Sequence, residues 1–221
     1  MDRKAVSVQS YANIAIVKYW GKKDSKKMIP STSSISLTLE NMVTETTLFP
    51  LPTEAQRDEF YIDGIRQDEE EHQKISRILN RYRTSGTDFV RIDTKNNMPT
   101  AAGLSSSSSG LSALIKACNL YFDLGLTTEE LAQEAKFASG SSARSFFGPV
   151  SAWDKDTGDI YPVQTNLKLA MIMLVLHDKR KPISSREGMN ICAHTSTNFD
   201  AWISQSEQDY LDMLTYLKED D

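Results

Sequence analysis

The segment from residue 99 to residue 110 restricts the fold of this chain more than any other part of the sequence. It reads PTAAGLSSSSSG and lies between a predicted strand, residues 89–92, and an amphipathic helix predicted over about residues 105–122. Small residues let a backbone approach a ligand, and the unpaired N–H groups of a helix's first turn bind phosphate. The segment therefore predicts a phosphate-binding loop. A serine-rich linker that ends in a helix cap is the alternative.

Two common nucleotide-binding patterns are absent around this loop. No lysine follows the glycine as in GxxxxGK[ST], so the segment is not a P-loop of that kind. No GxGxxG is present, which argues against a dinucleotide-binding fold.

The distribution of strand and helix patterns predicts an α+β fold. Strands cluster early and helices later, which is not the alternation of a doubly wound sheet. Asp63-Gly64 between apolar residues predicts a hairpin. The other predicted elements are strands over residues 6–19, 34–39, 43–49 and 169–176, a solvated turn over 22–27, and helices over 67–83, from a cap at Thr128, and over 201–218.

Composition excludes several functional classes. The net charge of −5 provides no overall positive field for nucleic acid. The three histidines are scattered, and the two cysteines form no CxxC pair, so no metal cluster is predicted. Cys118 is predicted to be a buried free thiol, although a disulfide with Cys192 stays open. The longest apolar run, residues 169–176, is too short for a bilayer, and no signal core follows the N-terminus. These features predict a cytoplasmic protein with no membrane or nucleic-acid partner.

The loop also carries a family resemblance. Its Pro-x-x-x-Gly-Leu-x-Ser-Ser pattern resembles the ATP loop of the GHMP superfamily, which includes galactokinase, homoserine kinase, mevalonate kinase and phosphomevalonate kinase. Five segments in order resemble its mevalonate diphosphate decarboxylase branch. They are residues 13–22 (NIAIVKYWGK), 30–36 (PSTSSIS), 96–103 (NNMPTAAG), 138–145 (ASGSSARS) and 184–189 (SSREGM).

The resemblance implies a GHMP-kinase-like two-domain fold. Residues 1–165 would form a complete N-terminal ATP-binding α/β-sandwich domain, and residues 166–221 the beginning of an incomplete C-terminal domain. A later family motif, Asp-Ala-Gly-Pro-Asn, supplies an aspartate that orients or deprotonates the substrate hydroxyl. This motif is not found among the 221 residues. The expectation is a chain with most ligand-binding residues but an incomplete catalytic set.

The implied reaction is the ATP-dependent decarboxylation of (R)-mevalonate 5-diphosphate to isopentenyl diphosphate, with release of ADP, phosphate and CO₂. The reaction belongs to the mevalonate pathway of isoprenoid biosynthesis, a branch of lipid metabolism. ATP and Mg²⁺ are the implied cofactors, and a homodimer is implied because family members are often dimers. Two alternatives stay open: a kinase of the same superfamily that does not decarboxylate, and a non-catalytic nucleotide- or diphosphate-binding module.

The resemblance also assigns roles residue by residue. Lys18 would lie near the reacting hydroxyl, and Arg144 would clamp the substrate carboxylate through two parallel hydrogen bonds. The implied catalytic residues are Lys18, Ser107 and Arg144, with Ser107 as the metal ligand. The implied nucleotide-binding residues are Asn96, Asn97, Gly103, Leu104, Ser105, Ser106, Ser107 and Ser108. The implied substrate-binding residues are Tyr19, Lys22, Ser139, Gly140, Ser141, Arg144, Ser185, Arg186 and Met189.

Overall fold

A computed structural model describes residues 3–24, 26–83, 85–86, 88–98, 106–174 and 183–221, without the side chains of Ser106 and Arg186. The strands are β1 (Val6–Val17), β2 (Lys22–Asp24), β3 (Ile29–Pro30), β4 (Ser34–Pro50), β5 (Glu59–Ile62), β6 (Ile65–Arg66), β7 (Val90–Asn96), β8 (Val150–Trp153) and β9 (Ile160–Val163). The helices are α1 (Glu69–Leu79), α2 (Ser106–Tyr121), α3 (Thr128–Ala138), α4 (Ser185–Thr195) and α5 (Phe199–Glu219), with a 3-10 helix at Ser142–Phe146.

The 17-residue strand β4 is the centre of the main sheet. It pairs with β1 along one edge, while its other edge pairs with β8 near its start and with β7 near its end. The sheet order is β6-β5-β7-β4-β8-β9, and β5–β7 is the parallel pair among the described pairings. Two strands were predicted here, but the structure has one. The predicted gap over residues 40–42 is a bulge, because Tyr11 pairs with Val43 while Ala12 pairs with Leu39.

Helices cover both faces of this sheet. Apolar residues of α1, α2 and α3 form one core with β4 and β7, exemplified by Leu79, Ile115 and Ala132. On the opposite face, Tyr210 and Leu217 of α5 pack against residues of β1, β4, β8 and β9. This mixed arrangement confirms the predicted α+β class.

Local sequence signals were accurate where short-range geometry decides the conformation. Asp63 and Gly64 both have positive φ, 50° and 79°, as a two-residue type I′ hairpin requires. The start of α3 differs from the prediction by one residue, because the cap is Thr127 rather than Thr128. Its side chain accepts a hydrogen bond from the Glu130 backbone, while the Glu130 side chain accepts one from the Thr127 backbone.

Other predictions were wrong or missed an element. The predicted turn over residues 22–27 contains β2, which pairs with β3. The predicted buried strand over 169–176 is not a strand over 169–174, where Ile172 and Leu174 are each 85% exposed; residues 175 and 176 lie outside the described residues. Within the described residues no strand pairs with this segment, so the apolar residues have no partner strand to form backbone hydrogen bonds with. The sequence predictions also missed β3, β8, β9, α4 and the 3-10 helix. No helix in the described part is long and apolar enough to cross a membrane.

Candidate functional site

A fully buried arginine lies at the centre of the candidate site. Arg144 belongs to the 3-10 helix and is 2% exposed. Its Nε donates to Ser36 Oγ (2.5 Å) and its Nη1 donates to Ser34 Oγ (2.7 Å). No acidic side chain forms a salt bridge with it among the described residues. Burial lowers the pKa of Arg144 to about 10, and the nearby Tyr19 acts in the opposite direction, so the guanidinium stays charged at neutral pH.

The two-residue period of β4 explains how the serines reach Arg144. Ser34 and Ser36 lie on the face that carries the 3-10 helix, whereas Ile35 and Leu37 belong to the apolar cluster beneath α5. The alternation of polar and apolar residues over 34–39 is typical of a half-buried strand. Instead both serines are completely buried, because Arg144 covers them. Sequence analysis therefore missed Ser34 and Ser36 as site residues, although they belong to one of the quoted motifs.

Asn13 holds the segment over residues 139–146, here called the serine–arginine turn. Its Nδ2 donates to the Ser141 carbonyl (2.9 Å) and to Ser145 Oγ (2.8 Å), so a single amide group links two residues of the turn. Ser139 Oγ and Ser141 Oγ are 3.2 Å apart. The buried Asn13 Oδ1 has no hydrogen-bond partner within the described part of the chain. Asn13 was quoted within a motif but was not predicted as a site residue.

Gly140 allows two aromatic rings to pack directly against the serine–arginine turn. A Cβ at this position would lie 2.9 Å from Tyr19 Cε1 and 3.0 Å from Trp153 Cζ3. The Tyr19 and Trp153 rings themselves are 5.2 Å apart between centroids, and both are buried. The structure thus brings together Tyr19, Gly140, Ser139, Ser141 and Arg144 of the predicted set.

The segment that follows β1 carries the predicted lysines. Lys18 is exposed, and Lys22 Nζ lies 3.3 Å from Met28 Sδ. Gly21 has a φ of +91°, and a Cβ there would lie 2.9 Å from Phe199 at the start of α5. This close approach and the left-handed backbone both require glycine.

Helix α4 lies against the same segment. A Cβ on Gly188 would be 3.9 Å from the Trp20 ring, and Met189 packs on the apolar cluster that contains Tyr19. Ser185 begins α4 and is exposed, after the cap Ser184. Ser185 and Met189 therefore lie on a helix that contacts the Tyr19–Lys22 segment. The Arg186 side chain lies outside the described residues.

The predicted nucleotide-binding residues lie around the start of α2. Ser107 is exposed, whereas Ser108 is buried against the sheet. Gly103, Leu104 and Ser105 lie outside the described residues, as does the Ser106 side chain. Asn96 Oδ1 accepts from Thr44 Oγ1 (2.7 Å).

The side chain of Asn97 binds the backbone at the β4 bulge. It accepts from the Val43 backbone (2.7 Å) and donates to the Asn41 carbonyl (3.0 Å), so both ends of its amide bind backbone. A nucleotide contact by Asn97 stays a prediction.

Buried hydroxyl groups connect the start of α2 with the serine–arginine turn. Ser10 of β1 lies 2.7 Å from Ser112 Oγ of α2 and donates to the Ser145 carbonyl at 3.5 Å. Ser112 in turn donates to the carbonyls of Ser108 and Ser109. Hydrogen bonds through β1 therefore link helix α2 with the serine–arginine turn.

In the described residues, no group of three His, Cys, Asp or Glu side chains could hold a metal ion.

Comparisons with known proteins agree with this geometry. Residues 10–161 match the model of the diphosphomevalonate decarboxylase-like N-terminal domain family. The diphosphomevalonate decarboxylase of Saccharomyces cerevisiae is 35% identical over 217 residues, a match that covers 87% of this chain and 54% of the yeast protein. This chain thus spans about half the length of the curated relatives it matches.

Solved structures extend the likeness to the whole chain. The mevalonate pyrophosphate decarboxylase of Streptococcus pyogenes superposes with a TM-score of 0.94 at 65% identity, covering 100% of this chain and 70% of that one. A second structure, described as MDDEF in complex with MVAPP, AMPPCP and magnesium, has a TM-score of 0.86 at 33% identity and covers 99% and 69% of the two chains. The predicted GHMP-kinase-like fold is confirmed by these neighbours. The family match, covering both the serine–arginine turn and the Tyr19–Lys22 segment, shows that the chain belongs to the diphosphomevalonate decarboxylase family.

Proposed function

We propose that this chain binds mevalonate 5-diphosphate and ATP for the ATP-dependent decarboxylation that yields isopentenyl diphosphate, ADP, phosphate and CO₂. The observation that carries the proposal is Arg144, a buried guanidinium held by two neutral hydroxyls and free of salt bridges in the described residues. An unpaired buried charge is costly, and a ligand carboxylate would offset that cost. Such a site selects for a substrate that carries a carboxylate.

The other end of the substrate needs cationic and hydrogen-bonding groups. We assign the diphosphate to Tyr19, Lys22 and the start of α4, where Ser185 and Arg186 follow a capped helix N-terminus. Met189 would pack beside the substrate. Ser139, Gly140 and Ser141 would complete the carboxylate end with Arg144, and the exposed Lys18 would lie near the tertiary hydroxyl.

The nucleotide would bind at the N-terminus of α2. The exposed Ser107 fits a ligand of Mg²⁺ or of a phosphate, because its hydroxyl oxygen is accessible at the first turn. Ser105, Ser106 and the preceding Gly103-Leu104 would supply the remaining contacts, with Asn96 at the border. Ser108 is buried, so it would contribute through its backbone alone. Mg²⁺-ATP, when bound, supplies the phosphoryl group that the substrate hydroxyl accepts. A structure of a relative described with MVAPP, AMPPCP and magnesium supports this assignment.

The remaining predictions concern organisation. We propose that residues 1–165 form the N-terminal ATP-binding domain and that residues 166–221 begin the second domain. Helix α5 nevertheless packs on the sheet of the first unit through Tyr210 and Leu217. A homodimer stays an expectation from the family resemblance, and a cytoplasmic location stays a prediction from the sequence.

The decisive experiment measures ADP, CO₂ and ligand binding on the purified 221-residue chain with mevalonate 5-diphosphate, ATP and Mg²⁺. Coupled release of ADP and CO₂ supports the decarboxylase. A phosphorylated product without CO₂ identifies a kinase instead. Saturable binding of both ligands without turnover identifies a binding module with an incomplete catalytic set. If the folded chain binds neither ligand, the proposal is wrong.

Two variants make the assignment of Arg144 specific. Arg144→Ala should weaken mevalonate 5-diphosphate binding by roughly 30-fold or more, because the carboxylate loses a charged, bidentate partner. Binding of ATP should change little. Arg144→Lys keeps the charge but not the planar fork, so we expect an intermediate loss. Equal affinity of Arg144→Ala and the unmodified chain for the substrate would contradict the assignment.

A further inference from the structure

The acceptors around Arg144 are unusual in carrying no charge. A buried guanidinium that only stabilises a fold is normally paired with a carboxylate, as Arg83 is with Asp58 in this same protein. Both of those side chains are 3% exposed, and their N–O distance is 2.6 Å. Arg144 is buried as deeply, yet its side-chain hydrogen bonds within the described residues go to the hydroxyls of Ser34 and Ser36.

We infer that Ser34 and Ser36 are positioning residues that fix the Arg144 guanidinium while leaving its charge uncompensated for a carboxylate on the ligand. The inference rests on the proposed function, and it extends that function to two residues of β4. A carboxylate at either position would lie within hydrogen-bond reach of Arg144 and would pair with it. A hydroxyl satisfies an N–H donor without neutralising the cation.

Strands β4 and β8 also fix the position of Arg144. In the ladder between β4 and β8, Ser34 is paired with Trp153 and Ser36 with Ser151. The Ser151 hydroxyl donates to the Arg144 carbonyl at 3.0 Å, so the same two strands hold both the backbone and the guanidinium of this residue. An arginine that is ordered before the ligand arrives loses less side-chain entropy on binding.

A charge-only exchange tests the inference. Ser36→Asp and Ser36→Asn place side chains of nearly the same shape against Arg144; Asp adds a negative charge, whereas the neutral Asn amide keeps one acceptor oxygen. Calorimetric titration of each variant uses mevalonate 5-diphosphate, which carries a carboxylate, and isopentenyl diphosphate, which does not. We expect Ser36→Asp to bind mevalonate 5-diphosphate roughly 30-fold or more weakly than Ser36→Asn does, with a smaller loss for isopentenyl diphosphate.

Thermal unfolding supplies the readout that a merely structural role would not produce. If the serines only support the fold, affinity and melting temperature should fall together. A positioning role predicts opposite signs, because Ser36→Asp pairs the buried cation and should melt above Ser36→Asn while binding the substrate less well. Should either Ser36 variant fail to fold, the pair Ser34→Asp and Ser34→Asn provides the same comparison at the Nη1 contact.

The outcomes separate this inference from the proposed function. If the unmodified chain does not bind mevalonate 5-diphosphate, the proposed function fails. If it binds, but the Asp and Asn variants have the same affinities for both ligands, the function stands and the positioning role of the serines is wrong.

Discussion

Replacing Gly140 by alanine should place a methyl group where two aromatic rings already lie. The new Cβ would be 2.9 Å from Tyr19 Cε1 and 3.0 Å from Trp153 Cζ3. Carbon atoms pack favourably at about 3.5–4.0 Å, so the rings or the turn must retreat by roughly 0.5–1 Å. Overpacking of this kind costs about 1–3 kcal/mol. The lower entropy of the unfolded alanine chain offsets about 0.4–1 kcal/mol of that cost.

The expected net effect of Gly140→Ala is a loss of about 1–2 kcal/mol in the free energy of unfolding. For a chain of this size the melting temperature should fall by roughly 2–8 °C. Since both Tyr19 and the serine–arginine turn belong to the proposed substrate site, a shift of either should also lower the affinity for mevalonate 5-diphosphate. Urea denaturation gives the stability, and calorimetric titration gives the affinity.

Gly110→Ala is the matched control for this substitution. Gly110 lies within α2, and no atom of the described residues outside its own helix backbone lies within 4 Å of its Cβ position. The same exchange should therefore raise the free energy of unfolding by about 0.5–1 kcal/mol. If the Gly140→Ala variant has the same free energy of unfolding as the Gly110→Ala variant, and its substrate affinity is unchanged, the packing argument at Gly140 is wrong.

Asp58→Asn should lower the free energy of unfolding by about 3–5 kcal/mol in urea melts, because it leaves the buried Arg83 without a countercharge; a loss below about 1 kcal/mol would contradict this account. Thr127→Ala removes the side-chain acceptor of the α3 capping box and should cost about 1 kcal/mol in the same measurement, whereas an unchanged midpoint would mean that the box contributes nothing. Thiol titration of the native chain should modify Cys192 but not Cys118, because burial raises the pKa of the Cys118 thiol; rapid modification of both would be inconsistent with that burial.

How well each element could be predicted depends on the range of the interactions that fix it. The Asp63-Gly64 hairpin depends on the backbone preferences of two residues, and it was predicted correctly. The buried strand predicted over residues 169–176 depends on a partner strand, which an apolar pattern alone cannot supply. The capping residue of α3 was wrong by one position because two adjacent threonines, 127 and 128, carry the same local signal.

For the site residues, too, the range of the interactions decided what could be predicted from the sequence. The motif containing Ser139–Ser145 was recognised from sequence, and the structure places it as one compact turn. Its supports were not recognised, because the partners of Arg144 at Ser34 and Ser36 are 110 and 108 residues away in the chain. Serines that alternate with apolar residues indicate a strand with one solvent-exposed face, unless another element of the fold is known to cover that face. In this fold the covering group is a charged side chain.

Strand β4 connects the two proposed ligand sites. Ser36 near its start supports Arg144 at the proposed carboxylate site, while Thr44 beyond the bulge bonds Asn96 and Ser109 beside the proposed nucleotide site. At about 3.3 Å per residue, these two supports are separated by at most roughly 26 Å along one continuous strand. Deleting one residue between them would shorten this spacing and also turn one set of side chains to the opposite face of the sheet. The distance between the two proposed ligand sites is therefore set by the length of the single strand that joins Ser36 and Thr44.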